Sequence, residues 1–174
     1  MLKMKNLVNI LINDSPVGWI QVSATPLGIT ALDFLRDEEV QSHAVSERND
    51  EDVFLKRAAT QLREYFSGVR KNFDLPLDLT RVSEFTRETL NLTIAIPWGA
   101  VISYGELARR LGKPGAARAV GGALARNPIP IIIPCHRVVA GDSSLHGYSA
   151  PGGIAIKERL LNLEGKPRLS VLVS

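Results

Sequence analysis

Residues 117–139 read ARAVGGALARNPIPIIIPCHRVV, and this stretch decides both the fold and the chemistry of the chain. It begins with a pattern of small and apolar residues at helical spacing. Asn127-Pro128 stops that helix, because a residue before proline is biased away from helical conformation. An apolar, β-branched run over 129–133 then leads to Cys135. We therefore predict a short helix, a buried connection and a cysteine delivered from the core.

The predicted helix has two unlike faces. The adjacent glycines on one face cost roughly 1 kcal/mol each in a helix interior. Close approach of another surface usually explains such glycines, and that surface is either a packed helix or a nucleic-acid backbone. In the second case, Arg118 would project into the nucleic acid. The predicted buried face is Ala116, Val120, Ala123 and Leu124, and the other face is Ala117, Arg118, Gly121, Gly122 and Ala125.

A second short helix is predicted just upstream. Ser103 and Glu106 fit a capping box, in which the serine oxygen accepts from the Glu106 amide and the glutamate reaches back to the Ser103 amide. Gly112 ends this helix, and Pro114 suits the first turn of the next. Two short helices joined by a tight turn are typical of a helix-turn-helix, but also of an ordinary helical hairpin.

Cys135 is the only cysteine of the chain, so no internal disulfide is possible and a reducing cytoplasm is expected. One thiol and three scattered histidines make a structural zinc site unexpected. A buried cysteine usually acts as a small apolar residue. Here His136 and Arg137 add a possible base and a fixed positive charge, and both favour the nucleophilic thiolate. Neighbours in a strand point to opposite faces, so Cys135 and His136 need a bend or a bridging water to communicate.

A histidine base needs a partner that orients it. The candidate is Glu164, which follows a final helix predicted over residues 154–163. The alternative for Glu164 is an exposed position at the helix end.

The N-terminal third of the chain has the pattern of a small sheet and a helix. Apolar runs over 5–12, 17–24 and 29–35, separated by turn residues, predict three strands. Residues 36–52 are polar without a period, and we expect a loop. Residues 53–66 are predicted to be helical. Nothing in this part points to chemistry.

We expect two domains, an N-terminal one over 1–78 and a C-terminal one over 79–174 that opens with a helix over 83–95. The chain has a net charge of +3. Residues 1–95 hold 11 basic and 14 acidic side chains, whereas residues 96–174 hold 10 and 4. The basic half suggests an anionic partner such as nucleic acid. No run reaches the roughly 18 apolar residues of a membrane helix, so we expect no membrane partner.

The stretch 117–139 resembles the signature of O6-alkylguanine-DNA alkyltransferases, also called methylated-DNA–protein-cysteine methyltransferases. The resemblance covers roughly residues 83–166. It implies an α/β (α+β) fold, with an N-terminal ribonuclease-H-like three-stranded sheet plus helix. The implied C-terminal domain is mostly helical and carries a helix-turn-helix and the active-site cysteine. The other matching segments are Phe85-Thr86-Arg87, residues 102–108, Gly147-Tyr148-Ser149, residues 157–161 and Glu164-Gly165.

The resemblance also implies a role for individual residues. Cys135 is the nucleophile, His136 deprotonates it through a water, and Glu164 orients the histidine. Tyr104 rotates the nucleotide and protonates the leaving guanine, and Asn127 is the hinge between recognition helix and active site. The implied DNA contacts are Ser103, Tyr104, Ala117, Arg118, Gly121, Gly122 and Ala125, and the implied guanine pocket is Val138, Tyr148 and Ser149.

The implied activity is repair of double-stranded DNA by irreversible, single-turnover alkyl transfer from O6-alkylguanine to Cys135. O4-alkylthymine is a second candidate substrate. The protein would bind the minor groove as a monomer with little sequence preference, and would need no cofactor or metal. The alternatives are a non-catalytic lesion sensor, a helix-turn-helix regulator and a Cys-His hydrolase. The loop between Tyr148 and Lys157 is about two residues longer than in many members of the family, which leaves the tolerated alkyl size open. His146 has no implied role.

Overall fold

The computed structural model describes residues 7–43, 52–141 and 153–165. The chain divides into two compact units, residues 1–81 and residues 82–174. The segment just before this division belongs with the first unit. The Asp78 backbone N–H donates to the Ile29 carbonyl, and its carboxylate accepts hydrogen bonds from the hydroxyls of Thr25 and Thr80.

The first unit is a three-stranded antiparallel sheet covered by a helix. Its strands are β1 (Val8–Ile12), β2 (Trp19–Thr25) and β3 (Gly28–Leu35), in the order β1-β2-β3. The large helix of this unit spans Val53–Phe66; Asp52 caps it, and Leu55, Ala58, Leu62 and Tyr65 are buried. The prediction of three strands and a helix over 53–66 is confirmed.

The loop predicted over residues 36–52 is wrong in its first part. Asp37–His43 form a short helix, α1, so the helix over Val53–Phe66 is α2. The first turn of α1 holds three acidic side chains, which favour the positive end of the helix dipole. The Glu39 carboxylate also accepts from the Arg36 backbone N–H at 2.8 Å. A helix stabilised at its start in this way needs no apolar stripe, so the spacing of apolar residues does not predict α1. Residues 44–51 lie outside the described part of the chain.

The second unit is mostly helical. Its helices are α3 (Glu84–Ile94), α4 (Tyr104–Arg110), α5 (Ala117–Ala125) and α6 (Gly153–Leu163). Two short strands, β4 (Ile102–Ser103) and β5 (Val138–Val139), pair in parallel. α5 packs against both α3 and α4, and with α4 it forms the predicted helix-turn-helix.

Helix α3 has the predicted extent, and three of its four buried side chains are threonines. The buried positions are Thr86, Thr89, Leu90 and Thr93, whereas Phe85 and Leu92 are only partly buried. The hydroxyls of Thr89 and Thr93 donate to the carbonyls of Phe85 and Thr89, both at 2.8 Å. A hydroxyl satisfied within its own helix can be buried at little cost, so apolar spacing alone understates how much of this helix is buried.

Two details of the helix-turn-helix differ from the prediction. Helix α5 starts at Ala117, so Pro114 lies in the turn instead of the first helical turn. The Ser103 side chain accepts from the Glu106 amide at 3.1 Å as predicted, but the Glu106 carboxylate pairs with Arg109 and Arg110. Half of the capping box therefore forms, because two flexible cations on the next turn compete for the glutamate.

Within residues 7–43, 52–141 and 153–165, no helix has both the length and the apolar character that crossing a membrane requires.

Candidate active site and nucleic-acid interface

The connection between α5 and Cys135 is a compact, buried loop tied to Asn127. The Asn127 side chain accepts from the Ile129 backbone N–H at 3.0 Å and donates to the Ile133 carbonyl at 2.9 Å. Ile131 has φ = 72°, a conformation rarely adopted by a β-branched residue. Ile129 and Ile131–Ile133 are all buried. Asn127 therefore links the end of α5 to the residue two places before Cys135.

Cys135 begins a 3₁₀ turn over Cys135–Arg137 and is buried, with 7% of its surface exposed. Its backbone N–H donates to the Ile133 carbonyl at 2.8 Å. The turn supplies the bend that a straight strand lacks, so the cysteine and His136 are not forced onto opposite faces. Proline on one side and the paired strand β5 on the other limit how far this turn can shift.

His136, Arg137 and Glu164 form one buried network. His136 Nε2 lies 2.9 Å from Glu164 Oε1, and Arg137 donates from Nε and Nη2 to the two oxygens of the same carboxylate, each at 2.9 Å. Arg137 also donates to the Ile96 carbonyl, and the Gly99 backbone N–H donates to Glu164 at 3.3 Å. Glu164 is thus buried and held from three sides, which removes the alternative of an exposed helix end.

The charges of this network fix its protonation. Burial by itself raises the pKa of Glu164, but the hydrogen bonds from His136 and Arg137 outweigh burial and lower the pKa to about 2. Burial, together with the positive charges of Arg137 and Lys157, lowers the pKa of His136 more than the hydrogen bond and charge of Glu164 raise it. The stable arrangement is therefore an ionised Glu164, a charged Arg137 and a neutral histidine. A carboxylate only accepts, so Nε2 carries the histidine proton and Nδ1 presents a lone pair.

The prediction that Arg137 supplies a positive charge to Cys135 is wrong. In the structure its guanidinium forks onto Glu164, so its charge is balanced by that carboxylate. The two parallel N–H donors of a guanidinium match the two oxygens of a carboxylate better than they match a single sulfur atom. The position of Arg137 near Cys135 in sequence therefore does not predict its partner.

Tyr104 and Lys157 lie close enough to Cys135 for a negative charge on its sulfur to raise the pKa of both. The parallel pairing of β4 with β5 sets Ser103 opposite Val139, which brings the start of α4 next to the cysteine turn. The Lys157 ammonium lies 5.8 Å from the centroid of the Tyr104 ring and donates to the Val138 carbonyl at 2.7 Å. Burial raises the pKa of Tyr104, and the negative charge of Cys135 raises it further.

The sequence analysis gave no role to Lys157, which is completely buried. A signal was present, because Lys157 shares its helix face with Leu160 and Leu161, both buried. A lysine on the apolar stripe of a helix is unusual and indicates a buried partner for its ammonium.

The outer face of α5 is open. Arg118 and Ala125 are exposed, whereas Ala117, Gly121 and Gly122 are partly exposed. A Cβ added at Gly121 would lie 3.9 Å from the Tyr104 ring, and one at Gly122 would lie 3.6 Å from the Arg126 guanidinium. Both are ordinary contact distances, so packing within the described protein does not require either glycine. Of the two surfaces considered for these glycines, an external one fits the structure better.

The described residues contain only part of the implied guanine pocket. Val138 is buried in β5. Tyr148, Ser149 and His146 lie outside the described residues, as do residues 150–152 of the long loop before Lys157, whereas residues 153–156 form the start of α6. In the part of the chain that is described, no three histidine, cysteine or acidic side chains cluster as metal ligands.

Comparison with known proteins identifies the family. Residues 84–166 match the family model described as 6-O-methylguanine DNA methyltransferase, DNA binding domain. Residues 8–79 match the ribonuclease-like domain of the same family. A methylated-DNA–protein-cysteine methyltransferase of Methanosarcina acetivorans is 40% identical over 152 residues, which are 87% of this chain and 95% of the relative. The chain belongs to the 6-O-methylguanine DNA methyltransferase family.

Solved structures of this methyltransferase family have the same fold as this chain. The crystal structure of Mycobacterium tuberculosis O6-methylguanine methyltransferase superposes with a TM-score of 0.76 and 38% identity, covering 96% of both chains. A crystal structure of Mycobacterium tuberculosis OGT in complex with DNA has a TM-score of 0.77 and 37% identity, covering 95% of this chain and 96% of that one. The family resemblance and the fold class inferred from sequence are confirmed.

Proposed function

We propose that this methyltransferase family member repairs DNA by moving an alkyl group, most simply methyl, from O6 of a damaged guanine to Cys135. The observation that carries the proposal is the placement of the only cysteine. It opens a buried turn whose next residue, His136, is held by an ionised Glu164. In a family whose curated members are named for methylated DNA and a protein cysteine, this thiol is the acceptor.

The transfer is a displacement at carbon. The Cys135 thiolate forms a bond to the alkyl carbon, the bond from that carbon to O6 breaks, and its electron pair stays with guanine. Tyr104 is placed to supply the proton that the leaving guanine needs, since burial keeps its hydroxyl protonated at neutral pH. The product is a thioether, which neither water nor a histidine base readily cleaves, so each molecule acts once. No metal or cofactor takes part.

His136 serves as the base. With its Nε2 proton directed at Glu164, the Nδ1 lone pair is available to take the thiol proton, directly or through one water. Nδ1 is buried and has no hydrogen-bond partner among the described residues. A buried acceptor of this kind is costly to leave unsatisfied, and it is placed one residue from the nucleophile.

Asn127 positions the nucleophile instead of touching substrate. Its two hydrogen bonds fix both ends of the loop that delivers Cys135. The strained Ile131 lies inside that loop. Loss of either hydrogen bond would let the loop relax and would move the thiol, and a displacement of about 1 Å lowers rates substantially.

The DNA partner is double-stranded and is bound from the minor groove by α5. The small residues Ala117, Gly121, Gly122 and Ala125 let the helix approach closely. Arg118 is exposed near the start of the helix, where it can fill the space of an extruded nucleotide. Extrusion is required, because the O6 substituent is hidden in the stacked duplex. Ser103 and Tyr104 lie at the start of the neighbouring helix and extend the contact.

We assign the chemistry to the C-terminal domain, from residue 79 onward, and a structural role to residues 1–78. All groups invoked come from one chain, so we propose that the monomer acts. The reaction needs a reduced thiol, so we propose a reducing compartment such as the cytoplasm. Val138, Tyr148 and Ser149 are proposed to line the guanine pocket, with the size of the tolerated alkyl group set by the loop that follows.

Stoichiometry tests the proposed function. An excess of duplex carrying one O6-methylguanine is incubated with protein, and restored guanine is counted over time by nucleoside analysis. We expect product to rise to one per protein molecule and then stop. Repeated turnover would indicate a Cys-His hydrolase. Tight, lesion-specific binding without product would indicate a sensor, and binding without lesion preference a regulator.

A further inference from the structure

Lys157 is a buried cation for which the proposed mechanism has no use. It has no exposed surface, and its ammonium donates to the Val138 carbonyl at 2.7 Å. Among the described residues, no carboxylate forms an ion pair with it. Burying an ammonium without a negative partner is expensive. Either another group supplies the missing charge, or the lysine gives up its proton.

The charges around Cys135 indicate which group is the negative partner of the Lys157 ammonium. Glu164 is already matched by Arg137, and the lowered pKa of His136 means that a proton taken from Cys135 passes on to solvent and leaves the histidine neutral. Tyr104 is uncharged at neutral pH, since burial raises its pKa. The Cys135 sulfur is the remaining group of this cluster that can become negative. Burial lowers the pKa of Lys157, and the negative charge of Cys135 opposes that change.

We propose that the Lys157 ammonium is the counter-charge of the Cys135 thiolate, and that alkyl transfer removes its partner. The second half rests on the proposed function. When sulfur gains an alkyl carbon, its charge changes from −1 to zero, whereas the lysine stays buried. The spent protein then holds an unbalanced ammonium beside a thioether. Lys157 is thus a positioning residue that acts on the nucleophile through space and marks the reacted state.

A purely structural lysine would behave differently. Its hydrogen bond to Val138 would stabilise the strand pair β4–β5, but removing it would not alter the reactivity of the sulfur. The two roles are separated by a measurement of thiolate formation on folded protein.

The first experiment uses iodoacetamide, a small alkylating agent that needs no DNA. Because the chain has a single cysteine, the carbamidomethyl mass gain measured on the intact protein reports Cys135 alone. Rates are measured against pH for the wild type, Lys157→Met and Lys157→Arg. The control is Lys71→Met, which removes the same charge from an exposed position in the first unit.

We expect Lys157→Met to raise the midpoint of the pH–rate profile by about one pH unit or more, which is about a tenfold slower reaction below that midpoint. Lys157→Arg should restore most of the shift, and Lys71→Met should leave the profile unchanged. A folded Lys157→Met protein, judged by circular dichroism, with the wild-type midpoint would overturn the proposal.

A second measurement uses the wild-type protein and remains decisive if Lys157→Met does not fold. The Lys157 ammonium is titrated by nuclear magnetic resonance before and after Cys135 is alkylated with iodoacetamide. We expect its pKa to fall on alkylation, and an unchanged pKa would refute the counter-charge. Since neither readout involves DNA, a failure here is distinct from a failure to repair O6-methylguanine.

Discussion

Replacing Arg137 with methionine tests the buried network most severely. The substitution keeps most of the side-chain volume but removes the guanidinium that makes two 2.9 Å hydrogen bonds to Glu164. The side chains of this pair are 5% and 0% exposed. Breaking a buried pair by deleting one partner costs about 3–5 kcal/mol, because the remaining charge stays desolvated. At roughly 2–4 °C per kcal/mol for a chain of this size, the melting temperature should fall by about 10 °C.

The same substitution should change the protonation of His136. Arg137 lowers the pKa of that histidine, whereas Glu164 raises it. Without the guanidinium, the pKa of His136 should rise, since the imidazolium then becomes the only cation on the carboxylate. A protonated histidine cannot accept the thiol proton, so alkyl transfer at neutral pH should slow even at temperatures where the variant is folded.

Thermal melts followed by circular dichroism and single-turnover transfer assays check both effects. The matched control is Arg63→Met, which removes a guanidinium that pairs with Asp14 at 2.7 Å while both side chains are about half exposed. Surface pairs of this kind contribute about 1 kcal/mol or less. If Arg137→Met destabilises the protein no more than Arg63→Met does, our account of the buried network is wrong.

Three further outcomes follow from the same structure. The pKa of Glu164 falls from 4.5 to about 2 on folding, so its contribution of about 3 kcal/mol should be complete above pH 4.5 and lost as pH falls towards 2. The lowered pKa of His136 acts in the same direction, with loss beginning as pH falls below 6.5. Urea melts between pH 7 and 2 check both: constant stability from pH 7 to 4.5 would contradict the His136 part, and constant stability from pH 4.5 to 2 would contradict the Glu164 part. Asn127→Ala should lower the free energy of unfolding by about 1–3 kcal/mol and slow alkyl transfer, while the Cys135 thiol remains titratable. An unchanged single-turnover rate would show that Asn127 does not position the nucleophile. Gly122→Leu should not destabilise α5, since leucine favours helix by almost 1 kcal/mol over glycine. It should nevertheless weaken DNA binding at least tenfold in a titration. An unchanged affinity would count against a DNA-facing α5.

The elements of the fold that depend on apolar spacing could be predicted from the sequence. Strands β1–β3 and helix α2 are built from residues whose hydrophobic period matches their structure. Helix α1 and the full set of buried threonines of α3 could not be found in this way. In α1 the stabilising groups are carboxylates at the helix start, and in α3 they are threonines bonded to their own helix.

The candidate site shows a similar division. Sequence pointed to Cys135, His136 and Glu164, because a nucleophile, a base and an orienting carboxylate form a familiar set. It assigned Arg137 to the wrong partner and passed over Lys157. Both errors concern where a long charged side chain ends, and this depends on residues distant in sequence, such as Ile96 for Arg137 and Val138 for Lys157.

The central claim is that Cys135 itself receives the alkyl group. The most direct measurement is the intact mass of the protein after incubation with a duplex that contains O6-methylguanine, beside a Cys135→Ser control. We predict a gain of about 14 Da, one methyl group in place of one hydrogen, in stoichiometric amount and absent from the control. An unchanged mass in a protein that nevertheless restores guanine or binds the lesion tightly would contradict the account.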